Sequence, residues 1–114
     1  MFIGIDLGTS SVKMIIVDHD QNILATADSP VSVQNPKDGY SEQNPEEWIN
    51  ATFECFEVLK TKKPREFMKT TSIGISGQMH GATLIDSSGE VIRPCILWND
   101  TRSYKECEEF ENQN

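Results

Sequence analysis

Cysteine, positive charge and long apolar runs are all scarce in this 114-residue sequence, and each scarcity removes a class of protein. Cys55, Cys95 and Cys107 are odd in number, widely spaced and without a CxxC pair, which argues against a disulfide framework. With only His19 and His80 beside them, they argue against a structural metal site as well. Ten Lys and Arg stand against 18 Asp and Glu, a formal net charge of −8, and no basic run exceeds Lys62-Lys63. Such a chain repels a nucleic-acid backbone or an anionic membrane, so neither is expected as a partner. Any anion it binds must be held locally, by backbone N–H groups, a few positioned cations or a metal. Apolar runs such as Met14-Ile15-Ile16-Val17 fall far short of the ~20 residues that a membrane-spanning helix needs. Asp6 interrupts the only stretch resembling a signal peptide, so the expected location is the cytoplasm. Hydrophobic residues make up 37%, a thin supply of core for what is at most one domain. Oligomeric state has no signature here.

Phe2-Ile-Gly-Ile-Asp6 and Ser11-Val-Lys-Met-Ile-Ile-Val-Asp18 read as strands, and Gly8 between them can adopt the positive φ of a tight turn, so the pair predicts a hairpin. After a polar turn at residues 18–22, Ile23 to Ala27 predicts a third strand and completes an N-terminal β-meander. From Pro30 to Pro45 the composition is that of a loop. Asn44-Pro45-Glu46-Glu47 then opens a helix, with an N-cap, a proline at the first position and two acids at the positive end of the dipole. Trp48, Ala51, Thr52, Cys55, Phe56 and Leu59 form its apolar face, and Pro64 forbids its continuation. Thr71 to Ser76 predicts a buried strand, Ala82 to Asp86 another, and Glu90 to Arg93 a short edge strand after a turn at residues 86–89. Cys95 to Trp98 returns to the interior, and Thr101 is placed to cap a last helix through Tyr104, Cys107 and Phe110. A meander, a crossover helix and further strands imply an α/β mixed sheet with flanking helices.

Three constellations carry possible chemistry. In Asp6-Leu7-Gly8-Thr9-Ser10-Ser11 a tight turn can aim backbone N–H groups and hydroxyls into one small volume, as a phosphate requires. Asp6 beside phosphate calls for a cation between them, and Mg²⁺ held through water fits. Equally, Asp6 and Thr9 can serve only the turn amides. Lys13 can counter phosphate charge or simply occupy a solvated strand position. In Ser76-Gly77-Gln78-Met79-His80-Gly81, glycines flank an amide, a thioether and an imidazole; Gln78 and His80 suit a polyol, or else His80 holds a backbone carbonyl and Met79 fills core. In Trp98-Asn99-Asp100-Thr101-Arg102, an indole, an amide and a carboxylate can wall a sugar site, Arg102 pairing with Asp100 or with an anion; helix capping alone accounts for the same residues.

With these motifs in this order, the chain resembles the N-terminal part of the FGGY carbohydrate kinases, nearest to members acting on xylulose. The resemblance runs from Phe2-Ile-Gly-Ile-Asp-Leu-Gly-Thr-Ser-Ser-Val-Lys13 through Tyr40-Ser-Glu-Gln-Asn-Pro-Glu-Glu-Trp48 and Ile73-Gly-Ile-Ser-Gly-Gln-Met-His-Gly-Ala-Thr-Leu84 to Arg93-Pro-Cys-Ile-Leu-Trp-Asn-Asp-Thr-Arg102. The Asp-x-Gly-Thr motif marks only the wider superfamily of actin-like ATPases and sugar kinases. Gln78-Met79-His80-Gly81 followed by Trp98-Asn99-Asp100 is narrower and points to xylulose in place of glycerol.

The resemblance implies an RNase H-like, actin-like ATPase fold, a partial domain with its cleft partner outside this chain. It implies that residues 1–114 are the first part of the sugar-binding N-terminal domain, with ATP held against a second, C-terminal domain. The implied reaction is ATP- and Mg²⁺-dependent phosphorylation of D-xylulose to D-xylulose 5-phosphate, in pentose catabolism. Asp6, Gly8, Thr9, Ser10 and Ser11 match the loop facing the ATP phosphates and Mg²⁺, while Met79 and His80 match the sugar-contacting pair. Trp98, Asn99 and Asp100 match a segment lining the same pocket. The family's general base, an aspartate, and its adenine pocket have no counterpart by motif, so the piece is expected to be inactive alone. Phosphorylation of ribulose, fuculose or gluconate is the neighbouring alternative, and a non-catalytic sugar- or nucleotide-sensing domain is the alternative of another class.

Overall fold

Alternation of apolar and polar residues near the N-terminus puts Ile3, Ile5, Val12, Met14 and Ile16 on one side of a sheet, and all five are buried. The computed structural model describes residues 1–113. In chain order the elements are β1 (Phe2–Leu7), β2 (Ser11–Val17), β3 (Ile23–Pro30), β4 (Glu42–Gln43), α1 (Pro45–Lys62), α2 (Pro64–Phe67), β5 (Ser72–Ser76), β6 (Cys95–Ile96) and α3 (Tyr104–Glu111). They fall into two units, Met1–Ser32 with Glu46–Gln78, and Val33–Pro45 with the residues from Met79 onward.

The first unit holds a four-stranded sheet in the order β3-β2-β1-β5. β1, β2 and β3 are the expected antiparallel meander, and β5 joins β1 in parallel, which the intervening α1 makes possible as a crossover. Ala51, Cys55 and Leu59 recur every fourth residue along α1 and bury against Val12, Met14, Ile16 and Ala27. Leu59 is wholly removed from water, and truncating such a side chain to Ala typically costs ~2–5 kcal/mol. The acids of the first turn do more than favour the dipole: Glu47 accepts hydrogen bonds from the Ser32 backbone N–H and hydroxyl at 2.8 and 2.7 Å. α1 ends where Pro64 was expected to stop it, but Pro64 also opens α2, whose Phe67 ring meets Phe56 edge-on.

β5 departs from expectation. Parallel register sets Ile73 beside Ile3 and Ile75 beside Ile5, so both share the core face, yet they are 52% and 69% exposed. The apolar pattern is that of a buried strand, but β5 is the last strand of the sheet and the core formed with α1 stops short of it.

In the second unit β4 pairs antiparallel with β6, and β4 is an element that the loop-like composition of residues 30–45 concealed. Single bridges add Gln34 to Glu42 and Ala82 to Ile96. Between residues 82 and 93 the two expected strands reduce to the Ala82 bridge and an Ile85–Val91 bridge. The Asp86–Gly89 turn that joins them forms as read, with the Asp86 carboxylate accepting from the Ser88 and Glu90 N–H groups. Cys95 and Leu97 are buried, whereas Trp98, expected inside, is 57% exposed. Thr101 does not cap α3: its hydroxyl donates to the Gly39 carbonyl, and the N-cap position falls on Ser103, which makes no side-chain cap bond.

Candidate functional site

In the first unit the turn between β1 and β2 is closed by the Gly8 N–H donating to the Ser11 carbonyl at 3.0 Å. A Cβ on Gly8 would stand 2.9 Å from that same oxygen. Glycine is required here for close approach and not for a positive φ, which among the glycines belongs to Gly39 and Gly89. The Ser10 carbonyl accepts from the Val31 N–H at 3.0 Å and ties the turn to the residue after β3. Ser10 is exposed and Thr9 half-buried at the tip.

Asp6, at the end of β1, is exposed and pairs in register with Lys13 on one side and Ser76 on the other. Ser76 Oγ donates to Asp6 Oδ1 at 3.0 Å. Lys13, also exposed, is in turn opposite Asp28 of β3, so its ammonium group lies on a strand flanked by two carboxylate-bearing neighbours. Gln78 stands close to the turn, with Nε2 3.5 Å from the Gly8 carbonyl and Oε1 3.5 Å from Thr9 Oγ1, the outer edge of hydrogen-bond distance. The sequence grouped Gln78 with the sugar-contacting residues; in the fold it lies in the unit of the phosphate-type turn.

An exposed carboxylate near a strand end, beside a turn bearing the hydroxyls of Thr9, Ser10 and Ser11, the last donating to Asp28 at 3.4 Å, is of the chemistry that suits a hydrated Mg²⁺ and a phosphate. Among the described residues no three His, Cys, Asp or Glu side chains gather as a metal-ligand set. A divalent ion at Asp6 would therefore rest on one carboxylate, waters and ligand oxygens, which is the manner of Mg²⁺.

In the second unit Met79 is 66% exposed and His80 is exposed with φ +58°, a left-handed conformation that a non-glycine residue adopts at a cost of roughly 1–2 kcal/mol. Gly81 follows where a Cβ would meet Cys95 Sγ at 3.2 Å and the Ile96 carbonyl at 3.6 Å. The chain thus presses His80–Gly81 against β6 and turns the imidazole outward. Trp98 and Asn99 occupy the tip of a turn closed by the Asp100 N–H donating to the Leu97 carbonyl at 3.1 Å.

Asp100 behaves differently from its neighbours, its side chain being only 2% exposed. Its Oδ2 accepts from the Ser41 N–H at 2.6 Å and from Arg102 Nη2 at 2.7 Å, and its Oδ1 accepts from Arg102 N and Nε, both at 2.9 Å. The Arg102 side chain, foremost, holds the Asp100 carboxyl far below the usual carboxylate range, with the Ser41 and Arg102 N–H groups adding to it against the effect of burial. Arg102 also donates to Glu42 Oε1 at 2.7 Å, stacks 3.9 Å from the Tyr40 ring centre, and shares Glu42 with Arg93. Ser76, Glu42 and Tyr40 had no distinguishing local signal: each is selected by a register or a pairing across tens of residues.

The mixed α/β fold is that of the sugar-kinase class, and comparison with known proteins places the chain there. Residues 1–114 match the profile of the FGGY family of carbohydrate kinases, N-terminal domain, and the chain belongs to that family. It is 43% identical over 113 residues to a xylulose kinase of Klebsiella pneumoniae, covering 99% of this chain and 23% of the relative. To a xylulose kinase of Escherichia coli K12 it is 44% identical over 107 residues, covering 94% of this chain and 22% of the relative. The crystal structure of a xyloylose kinase from Brucella ovis superposes with a TM-score of 0.93 at 50% identity, over 97% of this chain and 23% of that one. The expected α/β mixed-sheet fold of the actin-like class is thereby borne out. The chain spans less than a quarter of the length of these relatives.

Proposed function

We propose that this chain contributes the phosphate turn and the sugar-contacting turns of an ATP-dependent kinase that converts D-xylulose to D-xylulose 5-phosphate. The observation that carries the kinase reading is the Asp6 carboxylate, exposed at the end of β1 next to the Gly8-closed turn. The choice of sugar rests on the xylulose kinases that the chain resembles.

In this reading the N–H groups and hydroxyls of Thr9, Ser10 and Ser11 receive phosphate oxygens, and Gly8 lets the backbone close beneath them. Asp6 holds Mg²⁺ through water, Ser76 keeps the carboxylate oriented, and Lys13 adds positive charge nearby. Bound Mg²⁺ supplies neutralisation of charge on the transferring phosphoryl group. Met79 and His80 bind and orient the sugar, and Trp98 and Asn99 wall it. A sugar hydroxyl oxygen forms the new bond to the γ-phosphorus, ADP leaves, and the hydroxyl proton passes to a base. Asp18 and Asp86 do not serve as that base, since their carboxylates are engaged by the amides of their own turns. Asp20, Asp28 and Asp38 do not match the family's base by motif either, and the 114 residues alone are expected to be inactive.

The test is ADP release by the full-length protein carrying these residues, supplied with ATP, Mg²⁺ and one of xylulose, ribulose, fuculose or gluconate. Highest kcat/KM with xylulose supports the reading, and preference for another sugar reassigns the substrate. Saturable sugar binding without ADP release would replace the kinase with a sensor.

A further inference from the structure

Asp100 lies in the motif that faces the candidate sugar site, yet its carboxylate is turned inward. Four hydrogen bonds from Ser41 and Arg102 occupy both of its oxygens, and its side chain is 2% exposed. Trp98 and Asn99, two residues and one residue before it, are exposed. Resting on the sugar-kinase reading above, we infer that Asp100 and Arg102 form a positioning pair that sets the sugar-contacting turns and does not itself touch the sugar.

The physical path is short and lies within one unit. Asp100 binds the Ser41 N–H, and the Ser41 carbonyl accepts from the Leu97 N–H at 3.0 Å, so the residue before Trp98 and the carboxylate after Asn99 are both tied to the same residue. Arg102 reaches beyond Asp100 to Glu42, which pairs with Ile96 in β4 and β6. Ile96 in turn bridges to Ala82, two residues after His80. The exposed His80 turn therefore hangs from the side of β6 through Ala82, the Trp98–Asn99 turn follows the end of β6, and the ion pair ties that end to β4. A planar guanidinium meeting a carboxylate through two parallel bonds fixes direction as well as distance, which a lysine cannot reproduce. Stacking on Tyr40 holds the guanidinium from its face.

The experiment uses the full-length enzyme and the variants Asp100→Asn, Arg102→Gln, the double variant and Tyr40→Leu, with KM for sugar, KM for ATP, kcat and melting temperature measured for each. Either single polar substitution is expected to raise the sugar KM about tenfold while leaving the KM for ATP within about twofold. The double variant is expected to be no worse than the poorer single one, because losing either partner already releases the turns. Tyr40→Leu, the mildest change and the safeguard should the others fail to fold, is expected to raise the sugar KM about threefold. A raised sugar KM in Asp100→Asn with no change in Arg102→Gln would mean that Asp100 touches the sugar itself and would overturn the pairing role. Lower melting temperatures with unchanged sugar KM throughout would reduce the pair to fold stability and overturn it too. All ratios are taken on whichever sugar the unsubstituted enzyme turns over, so failure with xylulose counts against that substrate and not against the pair.

Discussion

Ser76 Oγ donates a hydrogen bond to Asp6 Oδ1 at 3.0 Å across the parallel β1–β5 pair. The bond joins the next-to-last residue of β1 to the last residue of β5, and it involves one carboxylate oxygen of an exposed aspartate. Asp6→Ala in the full-length enzyme is expected to lower kcat about a hundredfold or more, because charge placement against the phosphates is lost. Ser76→Ala removes only the orienting bond and is expected to cost about tenfold or less. Steady-state kinetics at saturating sugar distinguish the two, and equal losses would deny Ser76 a merely orienting role.

Gly8→Ala places a methyl group 2.9 Å from the Ser11 carbonyl, a backbone atom that cannot swing aside. The turn must open, at about 1–3 kcal/mol of stability, with a rise in KM for ATP larger than any rise in KM for sugar. Denaturant titration and paired KM measurements check it; an unchanged midpoint would show that the turn relaxes freely.

His80 combines an exposed imidazole with φ +58°. His80→Ala is expected to raise the sugar KM and also to lower stability slightly, since alanine tolerates that backbone less well than histidine. His80→Gly should recover stability by up to about 1 kcal/mol without recovering the KM. If both variants keep the parent sugar KM, the imidazole serves only the turn.

Asp100 supplies a pH dependence whose sign follows from its depressed pKa. A carboxyl that is more acidic folded than unfolded stabilises the fold above its unfolded pKa of about 3.9, and that stabilisation is lost as pH falls from there toward the folded value. The stability gap between the parent and Asp100→Asn should thus be widest near neutral pH and should narrow below about pH 4. Arg102, its pKa raised, stays charged throughout that range. Denaturation midpoints from pH 3 to 7 read the gap directly, and a constant gap would place the effect of the substitution elsewhere.

The meander and α1 were legible because each is specified locally: period-two alternation along residues 2–17, and Asn44-Pro45 with a four-residue apolar repeat ending at Pro64. So was the glycine turn, although its reason proved to be crowding against Ser11 and not backbone handedness. β4 escaped notice because two residues cannot display a period. The run Ala82–Asp86 misled because apolar residues also line irregular chain that bridges only at single points.

The local order of residues therefore determined the meander strands, the main helix, the three motif-bearing turns and the family to which they belong. Tertiary structure decided which side chains those turns present. It left Ile73 and Ile75 exposed on the last strand of the sheet, set Ser76 against Asp6, and turned Asp100 inward to Arg102 while Trp98 stayed outside. The physical reason is that propensity and periodicity act over one or two turns of chain, whereas the hydrogen bonds that orient Asp100 and Asp6 come from partners 59 or 70 residues away.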